Sequence, residues 1–297
     1  MRTTNRVAIV GVTGFVGRGL PGLFAENGVA TTGISRAGNG TTPGVDRWQS
    51  PDTLDFSGHQ AVINLSGEPI DQRWNDHSRR KFHESRVGLT IRVVAAISKL
   101  PENERPAVLV NASAVGIYGD RGEETLVDTA SRGSGYLADL CADWEHAAQG
   151  AEALGVRVVR LRIGIVLGKG GPAFEKLRLV IRLGIGGRLG SGQQWMPWIH
   201  LEDLRAAIVH CVFSENLHGP VNATAPNPQR NADLTRTLAA ALHRPAIFPA
   251  PAFALKLVLG EFANALLAGQ RAIPTALQAN GFHFRFTTLA AATADLV

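Results

Sequence analysis

The chain is 297 residues long, 45% hydrophobic and 19% charged, with 33 Gly and 15 Pro. That length implies one large or two intimate domains, and the composition excludes a disordered chain, a collagen-like chain and a coiled coil. The 30 basic and 25 acidic residues leave a formal charge of +5, but the basic residues are scattered and their densest run, Arg79-Arg80-Lys81, is short. A mildly basic enzyme with an anionic ligand accounts for this balance, and no nucleic-acid partner is expected.

No window reaches the roughly 18 uninterrupted apolar residues that a spanning helix needs, so no membrane partner is expected. The apolar run near the N-terminus is too brief for a signal-peptide core. The two cysteines, Cys141 and Cys211, exclude a disulfide framework and stand at no metal-ligand spacing. No metal is therefore expected, and a reducing cytoplasm is the expected compartment.

The first half of the chain alternates strands and helices. Val7-Ala8-Ile9-Val10 is a continuous apolar run, as a strand buried on both faces of a parallel sheet requires. A glycine turn follows, and then a helix predicted over residues 14–26. Further strands are predicted at 29–34, 60–65, 107–112 and 156–161. One long helix is predicted over 75–99 and another over 136–154. This order implies an α/β, doubly wound parallel sheet with helices on both faces. After residue 161 the texture changes to a glycine-rich stretch, with helices at 174–182, 201–213, 234–242 and 253–267, a short strand at 221–223 and a terminal helix. The expected organisation is a dinucleotide domain over 1–164, rejoined by 201–223. A smaller C-terminal cap or substrate domain, 165–200 with 224–297, covers the C-terminal edge of the sheet, where ligands bind in such folds.

Gly11-Val12-Thr13-Gly14-Phe15-Val16-Gly17 follows the first strand directly. Gly11 permits the tight turn, Gly14 lets the backbone approach a pyrophosphate, and Gly17 allows close helix–strand packing. The helix that opens here presents free N–H groups and a positive dipole end to phosphates. Ser35-Arg36 closes the second strand about 20 residues beyond the loop, where an acidic residue would bond the 2′-hydroxyl of NAD. A hydroxyl and a guanidinium suit a 2′-phosphate instead, so NADP (NADPH) is the expected cofactor.

Together with Asn64-Leu65-Ser66-Gly67 at a later strand end, the glycine spacing resembles the extended short-chain dehydrogenase/reductases, the NAD-dependent epimerase/dehydratase group. The runs Glu68-Pro69-Ile70, Arg73-Trp74, Glu84-Ser85-Arg86 with Thr90, Trp198-Ile199-His200, Gln270-Arg271 and Gly281-Phe282 are more specific. They resemble the subgroup of epimerase-family proteins whose Rossmann core is followed by a C-terminal domain of unknown function. The resemblance implies pyrophosphate contacts at Gly11, Thr13, Gly14, Phe15, Val16 and Gly17, and 2′-phosphate contacts at Ser35 and Arg36. It places Leu65, Ser66 and Gly67 along the adenosine and ribose, with Lys81, Arg86 and Val166 approaching the cofactor. The residues alone also allow Lys81 and Arg86 to bond nearby carboxylates.

One feature departs from the pattern that the resemblance implies. Competent relatives place a lysine four residues after a tyrosine, so that the lowered phenol pKa permits proton transfer. Here Tyr136 is followed by Leu140, and a shifted register gives Leu137 and Cys141. Ser113 and Tyr118 are the nearest remaining hydroxyls and the candidate catalytic residues; loop packing is the other role open to them. Glu68, Trp74, Tyr136, Trp195 and His200 are candidate substrate contacts. The other role open to Glu68 is capping the Pro69 turn, to His200 a structural bond in the cap, and to Trp195 and Trp74 the seam between core and cap. The expected function is an NADP-dependent oxidoreductase or epimerase-like enzyme with an atypical site, acting on a small molecule. The alternative is a non-catalytic NADP-binding sensor or interaction protein.

Overall fold

The computed structural model describes residues 5–297; residues 1–4 of the expected first unit lie outside them. β1 (Arg6–Val10) runs through a glycine turn and a 3-10 turn at Gly17–Gly19 into α1 (Leu20–Glu26). β2 (Ala30–Ile34), β3 (Arg47–Gln49) and β4 (Ala61–Asn64) follow. Then come α2 (Asp76–His83), a π-helical turn at Glu84–Gly88, α3 (Leu89–Ser98) and β5 (Val108–Ala114). A 3-10 turn at Val115–Tyr118 and β6 (Thr125–Leu126) lead to α4 (Tyr136–Gln149), β7 (Arg157–Ile163) and β8 (Ile165–Leu167). α5 (Pro172–Arg182), β9 (Trp195–Met196), β10 (Trp198–His200), α6 (Leu201–Phe213), β11 (Gly219–Ala223), β12 (Gln229–Arg230) and α7 (Asn231–Ala241) continue the chain. α8 (Ala252–Leu259), α9 (Phe262–Leu267), β13 (Arg271–Ala272), α10 (Thr275–Ala279) and α11 (Leu289–Leu296) complete it.

Seven parallel strands form the central sheet in the order β11-β7-β5-β4-β1-β2-β3. The period of two along each strand sorts the core. Val7 and Ile9 of β1, with Val159 and Leu161 of β7, pack beneath Leu20 and Phe24 of α1 and Leu204 and Ile208 of α6. Ala8, Val10, Leu109 and Val158 face the opposite way, onto Val93 and Ile97 of α3 and Ala148 of α4. From β1 the chain winds outward to β3, then crosses back to β4 and winds the other way. The reversal lies between β1 and β4, and the carboxyl ends of those strands open a crevice there. α5, α7 and α11 share a separate apolar cluster built on Phe174, Trp198, Leu234, Leu238 and Leu289.

The structure corrects several expected boundaries. The segment 75–99 is not one regular helix. Asn75 and Ser78 form a reciprocal capping box at the start of α2, and the widened turn at Glu84–Gly88 then separates α2 from α3. The α-helix after the glycine loop begins at Leu20 and not near Gly14, because residues 17–19 form a 3-10 turn ahead of Pro21 in the first turn of the helix. The fourth helix stops at Gln149, and β5 reaches Ala114, which places Ser113 inside a strand. β3 was not expected.

Candidate functional site

The glycine loop sits at the crevice, and each glycine answers a different demand. Gly11 has φ +80°, and a Cβ there would stand 3.2 Å from the Leu65 carbonyl oxygen on β4's exit. A Cβ at Gly17 would stand 2.4 Å from the Gly11 carbonyl oxygen, so close packing excludes a side chain. Gly14 is different: its Cβ would meet a single protein atom, the Gly11 carbonyl oxygen at 3.1 Å, and the residue is exposed. The fold itself asks little of Gly14, whose missing side chain leaves room for a ligand to come close to the turn. The loop closes helically, with the Gly14 N–H donating to Gly11 O and the Arg18 N–H to Gly14 O, both at 3.0 Å.

A residue that sequence reasoning missed fixes this loop. Arg205 of α6 donates through Nε to the Val16 carbonyl and through Nη2 to the Phe15 carbonyl, each at 3.0 Å. Both carbonyls thus have partners on the protein side, away from the exposed edge of the turn. The Phe15 ring lies against Gly168 and Gly171, where a Cβ would come within 2.9 and 2.5 Å of it. Thr13 is exposed, and Val16 is half-buried. Val166 lies on β8, paired with Ile199 of β10, and packs against the sheet core.

Ser35 ends β2 buried, with its hydroxyl donated to the Asn39 carbonyl at 2.6 Å. That bond folds the 35–39 turn on which Arg36 stands exposed, without a hydrogen bond or ion pair among the described residues. Leu65 and Ser66 are half-buried at the exit of β4. The Ser66 hydroxyl is donated to Asn64 Oδ1 at 2.6 Å, and Asn64 is itself tied to Thr90 and Asn111. The π-helical turn brings two side chains onto Glu68: Ser85 Oγ accepts its N–H at 2.9 Å, and Arg86 Nη2 donates to its carbonyl at 3.0 Å. Arg86 also lies against Gly67, where a Cβ would stand 3.0 Å from Nη2, and over the Trp144 ring at 5.3 Å. Its Nη1 is buried without a partner. Burial lowers the Arg86 pKa, offset in part by Cys141, Tyr136 and Glu68. An orphaned guanidinium nitrogen beside Gly67 is a donor suited to an anionic or polar ligand group. Lys81 is exposed on α2 and makes no hydrogen bond among the described residues.

Ser113 and Tyr118 are brought into one buried network. Ser113 Oγ donates to Glu145 Oε1 at 2.7 Å. Arg162 binds both Glu145 oxygens, at 2.8 and 2.9 Å, and donates to the Tyr118 hydroxyl at 2.9 Å. Tyr118 in turn donates to Asn222 Oδ1 at 2.7 Å. Burial pushes the Tyr118 phenol up, against the lowering effect of Arg162. Burial lowers the Arg162 pKa, but the hydrogen bonds and charge of Glu145 outweigh it and hold the pKa above the ordinary value. The α4 face toward the end of β5 carries Leu137, Cys141 and Glu145 at helical spacing. Leu137 and Cys141 lie against Gly116, and burial pushes the Cys141 thiol up to about 12. No phenol–amine pair stands on this face, as the sequence implied.

The remaining candidates divide into three places. Trp74 and Tyr136 meet with ring centroids 5.2 Å apart, and Phe262 of α9 packs on Trp74 at 6.1 Å. Arg79 lies over the Tyr136 ring at 4.6 Å, and burial raises the Tyr136 pKa. Trp195 is elsewhere, stacked between Arg230 at 4.4 Å and Arg271 at 4.7 Å, with its Nε1 donating to Glu123 at 3.0 Å. His200 is buried and caps α6: its Nδ1 accepts the Glu202 N–H at 3.2 Å. Its ring stacks on Phe286 at 3.9 Å, and Nε2 stands 3.5 Å from Asp295. Besides Arg205, sequence reasoning missed Glu145 and Arg162. β7 carries three arginines, Arg157, Arg160 and Arg162, and nothing in the sequence singled out Arg162 as the one that is buried. Arg205 offered no signal either, because its partners lie 189 and 190 positions away. Among the described residues no group of three or more His, Cys, Asp or Glu side chains is arranged to hold a metal ion.

A doubly wound parallel sheet opening on a glycine turn at its switch point defines a Rossmann-like nucleotide-binding fold. Residues 7–223 match the NAD dependent epimerase/dehydratase family and residues 250–296 match a domain of unknown function, DUF1731. The chain belongs to the NAD dependent epimerase/dehydratase family. It is 36% identical over 293 residues to the chloroplastic epimerase family protein SDR39U1 homolog of Arabidopsis thaliana, covering 94% of this chain and 83% of that protein. It is 38% identical over 290 residues to epimerase family protein Mb2239 of Mycobacterium bovis, covering 95% and 94%. The crystal structure of human epimerase family protein SDR39U1 (isoform 2) with NADPH superposes with a TM-score of 0.88 at 33% identity, covering 98% of each chain. A UDP-glucuronic acid 4-epimerase from Bacillus cereus in complex with NAD shares the fold at 15% identity and a TM-score of 0.75, covering 98% and 97%.

Proposed function

We propose that the chain binds NADP(H) at the crevice between β1 and β4 and acts as an oxidoreductase or epimerase-like enzyme on a small molecule. The observation that carries this reading is the exposed backbone at Gly14, in a loop whose neighbouring carbonyls are already held by Arg205. Arg36 supports the choice of the phosphorylated dinucleotide, since it stands exposed and unengaged at the end of β2. The NADPH bound by the human relative agrees with that choice. Bound NADPH would supply a hydride. The chain would supply the cradle, the guanidinium at the 2′ end, and Arg86 as a donor beside Gly67. The experiment is calorimetric titration with NADPH and with NADH, followed by incubation with a carbonyl library while nicotinamide absorbance is watched. Heat with NADPH and loss of absorbance with some carbonyl support the reading; absence of heat with both dinucleotides overturns it.

A second reading, a non-catalytic NADP(H)-binding sensor, is favoured by one specific observation. The hydroxyls of Ser113 and Tyr118 are both committed to the network around Glu145 and Arg162. Binding without turnover across the library, and an unchanged cellular phenotype on Ser113→Ala and Tyr118→Phe, would favour it.

A further inference from the structure

Nine of the thirteen most exposed large apolar side chains among the described residues fall in two short segments, 179–185 and 247–258. Their exposure is therefore concentrated, whereas single exposed apolar residues scattered over a surface need no explanation. Phe253 is 76% exposed, Leu257 74% and Ile247 68%. The two segments are joined edge to edge. The Phe248 N–H donates to Gly186 O at 3.3 Å, the Ala250 N–H to Arg188 O at 2.9 Å, and the Gly190 N–H to Ala250 O at 2.8 Å. α8 begins directly after this ladder and has no buried residue. Leu183 and Ile185 thus lead from α5 into this ladder, Ile247 and Phe248 stand at its other strand, and Phe253 and Leu257 lie on the helix that follows it.

The same stretch is basic. Segments 172–190 and 243–258 contain Lys176, Arg178, Arg182, Arg188, Arg244 and Lys256 against one carboxylate, Glu175. Six minus one is +5, equal to the net charge of the whole chain. Lys176 pairs with Asp71 and Arg178 with Glu175. Arg182, Arg188, Arg244 and Lys256 pair with no carboxylate among the described residues. A second copy of the chain meeting this face about a two-fold axis would set basic rim against basic rim. An anionic lipid surface meets both properties: apolar side chains enter the boundary of the acyl chains while the rim contacts the headgroups.

We propose that this basic-rimmed apolar face, formed by the end of α5, the 183–190 segment, the 247–250 segment and α8, docks the protein on anionic lipid bilayers. The contact lies in the plane of the membrane surface and needs no spanning helix. The face borders the candidate site: Arg73 Nη2 donates to the Leu257 carbonyl at 3.1 Å, and Lys176 reaches Asp71 on the loop beyond Gly67.

The test is co-sedimentation of the full chain with vesicles of phosphatidylcholine alone and of phosphatidylcholine with about 30% phosphatidylglycerol. Binding to the anionic vesicles, falling as salt rises, is expected. Arg182→Ala and Lys256→Ala should each weaken it by about fivefold, the share of one basic residue near an anionic surface. Phe253→Asp with Leu257→Asp should abolish it while leaving NADPH affinity unchanged. Gly14→Asp, which removes the nucleotide, should leave vesicle binding intact, so this proposal and the nucleotide reading fail separately. Equal binding to both vesicle types, no binding to either, or a dimer in solution that Phe253→Asp with Leu257→Asp dissociates would each overturn it.

Discussion

At the scale of single residues, the proposed dinucleotide site divides its work between the glycine loop and two arginines, Arg36 and Arg205. Gly14 is the position where an added side chain would reach the proposed ligand, with the Gly11 carbonyl oxygen at 3.1 Å the one protein atom close to its Cβ. Gly14→Asp is therefore expected to abolish dinucleotide binding by placing a carboxylate against the pyrophosphate, with the fold intact by circular dichroism; retained micromolar affinity in calorimetry would contradict this. Gly17→Ala should behave differently, because its Cβ would collide with Gly11 O inside the turn, and it should lower the unfolding midpoint as well as affinity. Arg36→Ala should weaken NADPH by about 1.5–3 kcal/mol, the range of a hydrogen bond to a charged group, and leave NADH nearly unchanged. Equal loss for both would show that Arg36 does not read the 2′ position. These residues were legible in the sequence because loop geometry is local: three glycines at fixed spacing after an apolar run have few other uses. Arg205 was not legible. An arginine five residues into an ordinary helix has no local signature, and its two carbonyl partners belong to a turn near the other end of the chain.

At the scale of elements, the buried pair of Glu145 on α4 and Arg162 on β7 ties helix to strand behind the candidate site. Arg162→Met should cost about 3–5 kcal/mol in urea unfolding, because it leaves the buried Glu145 carboxylate with only the longer Arg160 contact at 3.7 Å. Glu145→Leu combined with Arg162→Met should recover part of that loss, since the charge left without its carboxylate is then the half-buried Arg160 and not a carboxylate in the interior. A single variant as stable as the parent would show that the pair is dispensable. The main strands and helices were legible because each carries its period over at least four residues. The two- and three-residue pairings were not: β8 with β10, β9 with β12 and β13 with β6 are too short to show alternation. The widened turn at Glu84–Gly88 was hidden for another reason. Its residues read as uninterrupted helix, and only the arrival of Ser85 and Arg86 at the backbone of Glu68 shows what the extra residue accomplishes.

At the scale of the whole molecule, three histidines from separate regions are held neutral by burial. His59 accepts from Thr32 on Nε2 and donates from Nδ1 to the Ser57 carbonyl, and burial lowers its pKa below 6.5. Burial lowers His200 and His210 in the same direction. The unfolded chain therefore binds more protons than the folded one below pH 6.5, so stability present at pH 7.5 is lost progressively as pH falls through that region. The urea midpoint should be lower at pH 5.5 than at pH 7.5, and His59→Gln should flatten that slope; a midpoint that rises on acidification would overturn the assignment. The division of the polypeptide also has a temporal side. The turn proposed to meet the phosphates is made within the first 17 residues, yet the guanidinium that holds its carbonyls and the glycines that seat Phe15 come from far later. A nascent chain still emerging from the ribosome cannot complete this pocket until α6 has been synthesised and has docked, so capture of a nucleotide there would report that the chain has emerged at least as far as Phe213.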